Sequence, residues 1–255
     1  MSEHPAQGWI GASVLRKEDA RHLLGLGSFI GDIRLPGMKD VAFLRSQVAH
    51  GVLKAVRKPE QGGAQVFTAK DLSWVKVLEA GPELTNYGSS PYPALAEGKV
   101  RYAGQTIAAC IGVNRAHAED LTELVEVDID SLPAVTDVRE AMRPGAPKLF
   151  DHWADNAFIR ASVNEGDPAS LKSAPVRVSR QFRMNRQATV HLEGRGIIAQ
   201  VDRRTDELVI YLSSQGPHVM RLGFAQAMGL PEHRIRVIAP DVGGGFGGKN
   251  RLMPE

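Results

Sequence analysis

Apolar and polar positions repeat in two ways along this chain, and the change of period separates strands from helices. A largely apolar run over 106–113 predicts a buried strand. A helix is predicted next, because Ala118 and Leu121 share one face and Asn114 can cap the first turn. Alternation with a period of two then returns over 125–129 and predicts a strand with one solvated face.

Earlier segments add further strands to this first unit. Residues 41–46, 66–72 and 99–105 carry strand patterns that run into turns. Because a helix between two strands covers a sheet, the order strand, helix, strand predicts an α/β first domain. The passage 141–167 is rich in turn residues and has no periodicity, so we place a domain boundary there.

The second half begins with alternation over 176–183, which predicts a strand. Residues 196–201 and 208–212 flank a polar turn and predict a hairpin. Pro217 suits the first turn of a helix, and Gly229 is placed to end it. The second half is therefore predicted to contain both strands and a helix.

Composition excludes several classes of protein. The 255 residues carry a formal charge of +2, without a block of like charge, so we expect no nucleic-acid partner. No stretch reaches the roughly 18 apolar residues of a membrane span, and no secretory leader is recognisable, so a cytoplasmic location is expected. The single cysteine, Cys110, lies in an apolar run and is expected to pack in the core. An iron–sulfur cluster would have to lie on another polypeptide.

A strand around Ile235 and Val237 leads into a glycine-rich loop over 243–249, which has five glycines in its first six positions. Glycines allow successive backbone N–H groups to turn toward one point, which predicts an anion site. Lys249 is expected either to add a positive charge to that site or to be solvated.

Two nucleotide-binding motifs resemble this loop in part. A P-loop needs a hydroxyl after the lysine, where this chain has Asn250. A dinucleotide-binding loop must open a helix and be followed about 20 residues later by an acidic residue, but Pro254 comes first and the sequence stops at Glu255. A nucleotide site is disfavoured on these grounds, and a glycine-rich turn without a ligand is the other alternative.

Several segments together resemble the molybdenum-cofactor subunit of the xanthine dehydrogenase, aldehyde oxidase and aerobic carbon monoxide dehydrogenase family. In chain order they are 16–33, 45–50 (R-S-x-x-A-H), 93–105 with the following strand, helix and strand, 191–196 (similar to M-E-P-R-G), 214–218 (similar to T-Q-x-P-H) and the glycine loop. Their common order over nearly the full chain is more specific than any one of them.

The resemblance implies an α+β fold with two parts. Residues 1–145 would form an entry segment and an α/β hammerhead domain, and residues 146–255 the incomplete start of a molybdopterin-binding α+β domain. Gln215 would stand near the metal and donate its amide to a molybdenum ligand. Backbone amides for the cofactor would come from Phe246 and its flanking glycines Gly244, Gly245, Gly247 and Gly248. Without the resemblance, Gln215 would be interpreted as solvated and Phe246 as core.

The family hydroxylates an electrophilic C–H carbon of substrates such as aldehydes or N-heterocycles, or oxidises a CO-like small substrate, with water as the oxygen source and a glutamate as base. The resemblance implies a molybdenum–molybdopterin cofactor, with the cytosine dinucleotide form left open, and partner subunits that carry iron–sulfur clusters and FAD. The base is expected beyond Glu255, so we nominate no catalytic residue.

Full family subunits are several times as long as this chain. We therefore expect a fragment, one half of a split subunit, or a truncated and inactive product, and the remainder of the molybdenum subunit is an expected partner. The isolated chain is expected to be inactive and to bind the cofactor weakly or not at all. The alternative is a non-catalytic binding or assembly module.

Overall fold

The computed structural model describes residues 10–61, 63–79, 86–163, 165–167 and 169–254. The strands are β1 (Asp40–Arg45), β2 (Gly51–Arg57), β3 (Val66–Thr68), β4 (Leu78–Glu79), β5 (Pro91–Tyr92), β6 (Lys99–Val100), β7 (Thr106–Gly112), β8 (Glu126–Ser131), β9 (Ile197–Asp202), β10 (Glu207–Leu212) and β11 (Ile235–Ile238). The helices are α1 (Asp19–Leu23), α2 (Arg115–Glu123), α3 (Val138–Ala141), α4 (Ser170–Ser173) and α5 (Pro217–Met228). Within the described ranges, no helix has the length and apolar character needed to cross a membrane.

The first half contains two three-stranded antiparallel sheets, in the orders β1-β7-β3 and β6-β2-β8. β7 and β8 flank α2 in the sequence but lie in different sheets. The cap of α2 is confirmed, because Asn114 Oδ1 accepts a hydrogen bond from the His117 amide at 2.9 Å. Cys110 is fully buried beside Val66 and Leu121, which confirms its predicted packing, and burial raises the pKa of its thiol.

The second half is built on a sheet in the order β11-β10-β9. β9 and β10 form the predicted antiparallel hairpin, whereas β10 and β11 run parallel and are connected through α5. The helix begins at Pro217 and ends at Gly229, whose φ of 65° closes it in the left-handed conformation, as predicted. Ile210, Ala225 and Ile235 bury the contact between this helix and the sheet.

The prediction of a strand over 176–183 is wrong, because the structure contains no strand there. Val176 and Phe182 are 78% and 87% exposed. Alternation favours a strand only where a neighbouring strand accepts its backbone hydrogen bonds and another layer covers its apolar face. The described residues provide neither for this segment.

The entry segment is fastened to the second half of the chain. The Arg21 guanidinium forms a bidentate ion pair with the Asp241 carboxylate, in which Nη2 lies 2.6 Å from Oδ1. Ser28 and Asp241 also bond to each other, through the Ser28 amide to the carboxylate at 2.7 Å and the Asp241 amide to the Ser28 carbonyl at 3.0 Å. The hydrogen bonds from Arg21 and Ser28 hold the pKa of Asp241 well below its usual range. The strand end that precedes the glycine loop is therefore held from outside its own sheet.

Candidate functional site

The topology brings two predicted site segments to one edge of the sheet. Ser213 to Gly216 follow β10, and the loop 241–250 follows β11. Because these neighbouring strands are parallel, their carboxyl ends meet at the same edge, where open α/β sheets commonly bind ligands. The structure therefore brings Gln215 and the glycine loop together, although 28 or more residues separate them in the sequence.

Gln215 is held by the loop through one end of its side-chain amide. Its Oε1 accepts hydrogen bonds from the amides of Gly247 at 3.0 Å and Lys249 at 3.2 Å. Because backbone N–H groups can only donate, this contact fixes which end of the amide is the oxygen. The Nε2 end has no acceptor within the described residues, so its two N–H donors are available to a ligand.

Three consecutive backbone amides of the loop are also available. The N–H groups of Gly244, Gly245 and Phe246 have no acceptor in the described part of the chain. In contrast, the Gly247 amide donates to Gln215 and the Gly248 amide donates to the Gly245 carbonyl at 2.7 Å. The available donors suit a ligand rich in acceptor oxygen and nitrogen atoms, such as a pterin with its phosphate, so the donor set fits the implied cofactor.

The backbone of the loop carries strain where these donors are presented. Phe246 has a φ of 45°, which a residue with a side chain rarely adopts, and Gly244 has a φ of 95°. The Phe246 side chain is 73% exposed, so its interpretation as a core residue is wrong. Gly245 is required for a different reason, because a Cβ there would lie 2.5 Å from Gln215 Cδ.

Glu193 organises the loop from behind, a role that sequence reasoning missed. Its Oε2 accepts hydrogen bonds from Ser213 Oγ at 2.5 Å, the Gly243 amide at 2.8 Å and Lys249 Nζ at 2.9 Å. Burial raises the pKa of Glu193, but the bonds from Ser213, Lys249 and Gly243 outweigh it, so the pKa lies below its ordinary value. Glu193 is therefore held as a carboxylate.

Lys249 is the buried partner of that carboxylate. Its side chain is fully buried and forms an ion pair with Glu193. Both expectations for Lys249 are therefore wrong, since it is neither solvated nor directed to an anion in the loop. In the sequence, Lys249 follows an apolar strand and a glycine turn, and this position was the available signal for burial. A buried lysine requires a carboxylate partner.

A cleft of about 670 Å³ lies beside the site, between β1, the start of β9, α5 and residues 249–253. The charged side chains among the described residues that line it are all basic: Arg45, Arg115, Arg195, Lys249 and Arg251. Two of these charges are paired, Lys249 with Glu193 and Arg115 with Glu119. Within the described residues, no group of three or more His, Cys, Asp or Glu side chains is placed to hold a metal ion.

Comparison with known families divides the chain into two matched regions. Residues 24–133 match the aldehyde oxidase and xanthine dehydrogenase a/b hammerhead domain. Residues 150–255 match the molybdopterin cofactor-binding domain, and this region contains Glu193, Gln215 and the glycine loop.

Curated relatives are similar over nearly the whole chain. The carbon monoxide dehydrogenase large chain of Hydrogenophaga pseudoflava is 34% identical, over 93% of this chain and 31% of the relative. The nicotine 6-hydroxylase large subunit of Paenarthrobacter nicotinovorans is 32% identical, over 96% of this chain and 31% of the relative. This chain thus spans about a third of the length of these relatives.

Solved structures share the same fold. The crystal structure of quinoline 2-oxidoreductase from Pseudomonas putida 86 superposes with a TM-score of 0.86 at 33% identity, over 96% of this chain and 32% of that one. A Cu,Mo-CO dehydrogenase gives a TM-score of 0.81 at 31% identity, again over 96% of this chain and 32% of that one.

Proposed function

This chain belongs to the family of molybdenum-cofactor-binding large subunits of xanthine dehydrogenase, aldehyde oxidase and carbon monoxide dehydrogenase and corresponds to their N-terminal part, and on that premise we propose that it forms one wall of a molybdenum hydroxylase's cofactor pocket. The predicted family and α+β fold, a hammerhead domain followed by the start of a cofactor-binding domain, are confirmed. The observation that carries the proposal is the meeting of the Gln215 amide with the acceptor-free loop amides at one sheet edge.

In this proposal, each donor has a distinct task. Gln215 uses Nε2 to donate to a ligand of the molybdenum, while its Oε1 remains bonded to the loop. The amides of Gly244, Gly245 and Phe246 donate to the cofactor. Gly247 and Gly248 contribute by shaping the loop, because their amides already donate within the chain. When bound, the cofactor supplies Lewis acidity and the redox centre for hydroxylation of a C–H carbon with oxygen from water.

Glu193 does not fit the part of the catalytic base, although it lies close to the loop. Its Oε2 accepts three hydrogen bonds and its pKa is lowered, whereas a base near neutral pH needs a raised pKa and an accessible oxygen. We assign the base instead to the region that corresponds to the other two thirds of the relatives. By itself this chain should therefore be inactive and should bind the cofactor weakly.

The substrate class and partners are proposed from the relatives. Their names specify carbon monoxide, nicotine and quinoline. The proposed substrate is therefore an aldehyde or an N-heterocycle, oxidised at a C–H carbon, or carbon monoxide itself. Electrons would leave through iron–sulfur and FAD subunits, because the only cysteine of this chain is buried in the core and a cluster needs several thiolates.

Purification of the assembly through an affinity tag on this chain, from its native cells, tests the proposal. We expect dye-linked oxidation of an aldehyde, an N-heterocycle or carbon monoxide, together with iron and flavin, only when the cells are grown with molybdate. The control is the isolated chain, which should show none of these. An assembly without molybdate-dependent oxidation of any of these substrate classes would contradict the proposal.

A further inference from the structure

The Glu193 carboxylate touches four separate parts of the chain. Its Oε2 accepts hydrogen bonds from Ser213, just after β10, and from the two ends of the glycine loop at Gly243 and Lys249. Its Oε1 lies 3.4 Å from the Ile30 amide of the entry segment. One carboxylate therefore bonds to both ends of the loop.

The surroundings of Glu193 leave it little freedom to move. A Cβ on Gly243 would lie 2.5 Å from Glu193 Cβ, so the loop backbone passes directly against this side chain. The Glu193 amide also donates to the Gly243 carbonyl at 3.2 Å. The start of the loop is thus fixed by a side-chain bond, a backbone bond and close packing, all from one residue.

The charge of the pair is confined to the interior. The Lys249 side chain has no exposed surface, and that of Glu193 is 15% exposed. Removing one member of a buried pair leaves the other charge unpaired in a low-dielectric site, whereas removing both is often tolerated. We therefore expect a large effect from the loss of the bond that holds the end of the loop.

We propose that Glu193 is the positioning residue of the glycine loop. Its carboxylate fixes the loop ends at Gly243 and Lys249, so that the amides of Gly244, Gly245 and Phe246 project together into the proposed cofactor pocket. Nothing in the donor set requires Glu193 to touch the cofactor. The assignment of a purpose to the loop rests on the proposed function, but the positioning itself is a property of the chain without a cofactor.

Hydrogen exchange of the full chain, measured by mass spectrometry without cofactor, tests this positioning. Glu193→Gln should speed exchange of the loop peptide covering 241–250 on the order of tenfold, because the loop loses a charge-assisted hydrogen bond. Exchange in β9, β10 and α5 should stay within about twofold of the native chain. Glu232→Gln is the matched control, because it breaks an exposed pair with Arg221 of α5 that includes no loop residue, so it should leave the loop unchanged.

Rescue separates positioning from a general loss of stability. The double variant Glu193→Gln with Lys249→Met removes both charges while the new amide oxygen can still accept from Gly243, so loop exchange should return to within about threefold of native. If Glu193→Gln does not fold, Ser213→Ala and the double variant carry the test, and Ser213→Ala should speed loop exchange by about threefold.

Two results would overturn the proposal. One is native-like exchange of the loop in Glu193→Gln or, if that variant does not fold, in Ser213→Ala. The other is an equal loss of protection across the loop, the sheet and α5. Because hydrogen exchange is measured without cofactor, the positioning proposal can be refuted while the proposed function stands. Conversely, an assembly that fails to bind molybdenum would not alter the exchange result.

Discussion

Gln215 and Lys249 are bonded to each other in both directions. The backbone N–H of Gln215 donates to the Lys249 carbonyl at 3.0 Å, and the backbone N–H of Lys249 donates to the side-chain Oε1 of Gln215 at 3.2 Å. This reciprocal contact joins the turn after β10 to the end of the glycine loop. It also leaves the Nε2 donors of Gln215 as the free end of that side chain, which is the end that the proposed role requires.

Truncation of Gln215 should loosen this junction. In Gln215→Ala, the Gly247 and Lys249 amides lose their acceptor, and we expect the free energy of unfolding to fall by about 1–2 kcal/mol. Urea denaturation measures the change. Gln200→Ala, on the exposed side of β9, is the control and should change stability by less than about 0.5 kcal/mol. Equal effects of the two substitutions would show that the junction contributes nothing.

Gly245 should tolerate no side chain. A Cβ there would lie 2.5 Å from both Cδ and Oε1 of Gln215, so Gly245→Ala must displace Gln215 or the loop. We expect a loss of about 1–3 kcal/mol, seen as a lower midpoint of thermal unfolding. Gly194→Ala is the matched control, because a Cβ at Gly194 would meet nothing within 4 Å. A native midpoint for Gly245→Ala would contradict the close approach.

The ion pair of Glu193 and Lys249 should make stability depend on pH. The folded-state pKa of Glu193 lies below the ordinary value of 4.5, so its contribution is complete above that value and is lost as the pH falls through the folded-state pKa. The free energy of unfolding of the native chain should therefore fall more steeply from about pH 5 to pH 3 than that of the double variant Glu193→Gln with Lys249→Met. Parallel curves from urea denaturation would argue against a lowered pKa.

The entry segment should come loose when its anchor is removed. Asp241→Asn removes the charge that pairs with Arg21, so trypsin should cleave after Arg21 several times faster than in the native chain. Limited proteolysis followed by mass spectrometry measures this rate. Asp206→Asn breaks the exposed pair with Arg234, and asparagine tolerates the φ of 58° at that position, so cleavage after Arg21 should be unchanged in this control. Equal rates in all three proteins would mean that the anchor does not hold the segment.

Local chemistry allowed several elements to be predicted from sequence. Pro217 and Gly229 bound α5 because proline suits the first helical turn and glycine the left-handed end, and both effects act within a few residues. Asn114 caps α2 for the same reason. The family resemblance supplied the grouping of Gln215 with the glycine loop, which no local pattern contains.

The misses share a physical cause, which is that they depend on distant parts of the chain. The pairing of Glu193 with Lys249 spans 56 residues, and whether that lysine is solvated or buried depends on tertiary packing. The segment 176–183 has the period of a strand, but without a neighbouring strand and a covering layer its apolar side chains remain exposed.

The molybdenum content of the assembly isolated through a tag on this chain tests the central claim most directly. Gln215→Glu keeps an oxygen for the Gly247 and Lys249 amides but removes the outward donors, so the loop should remain folded while its cofactor contact is lost. We predict that assemblies of the native chain and of the control Gln200→Glu contain the same amounts of molybdenum and pterin. In Gln215→Glu, both should fall on the order of tenfold, as expected for the loss of about 1.4 kcal/mol of binding. A native assembly without molybdenum, or a Gln215→Glu assembly that retains it in full, would contradict the claim that Gln215 and the glycine loop form a wall of the cofactor pocket.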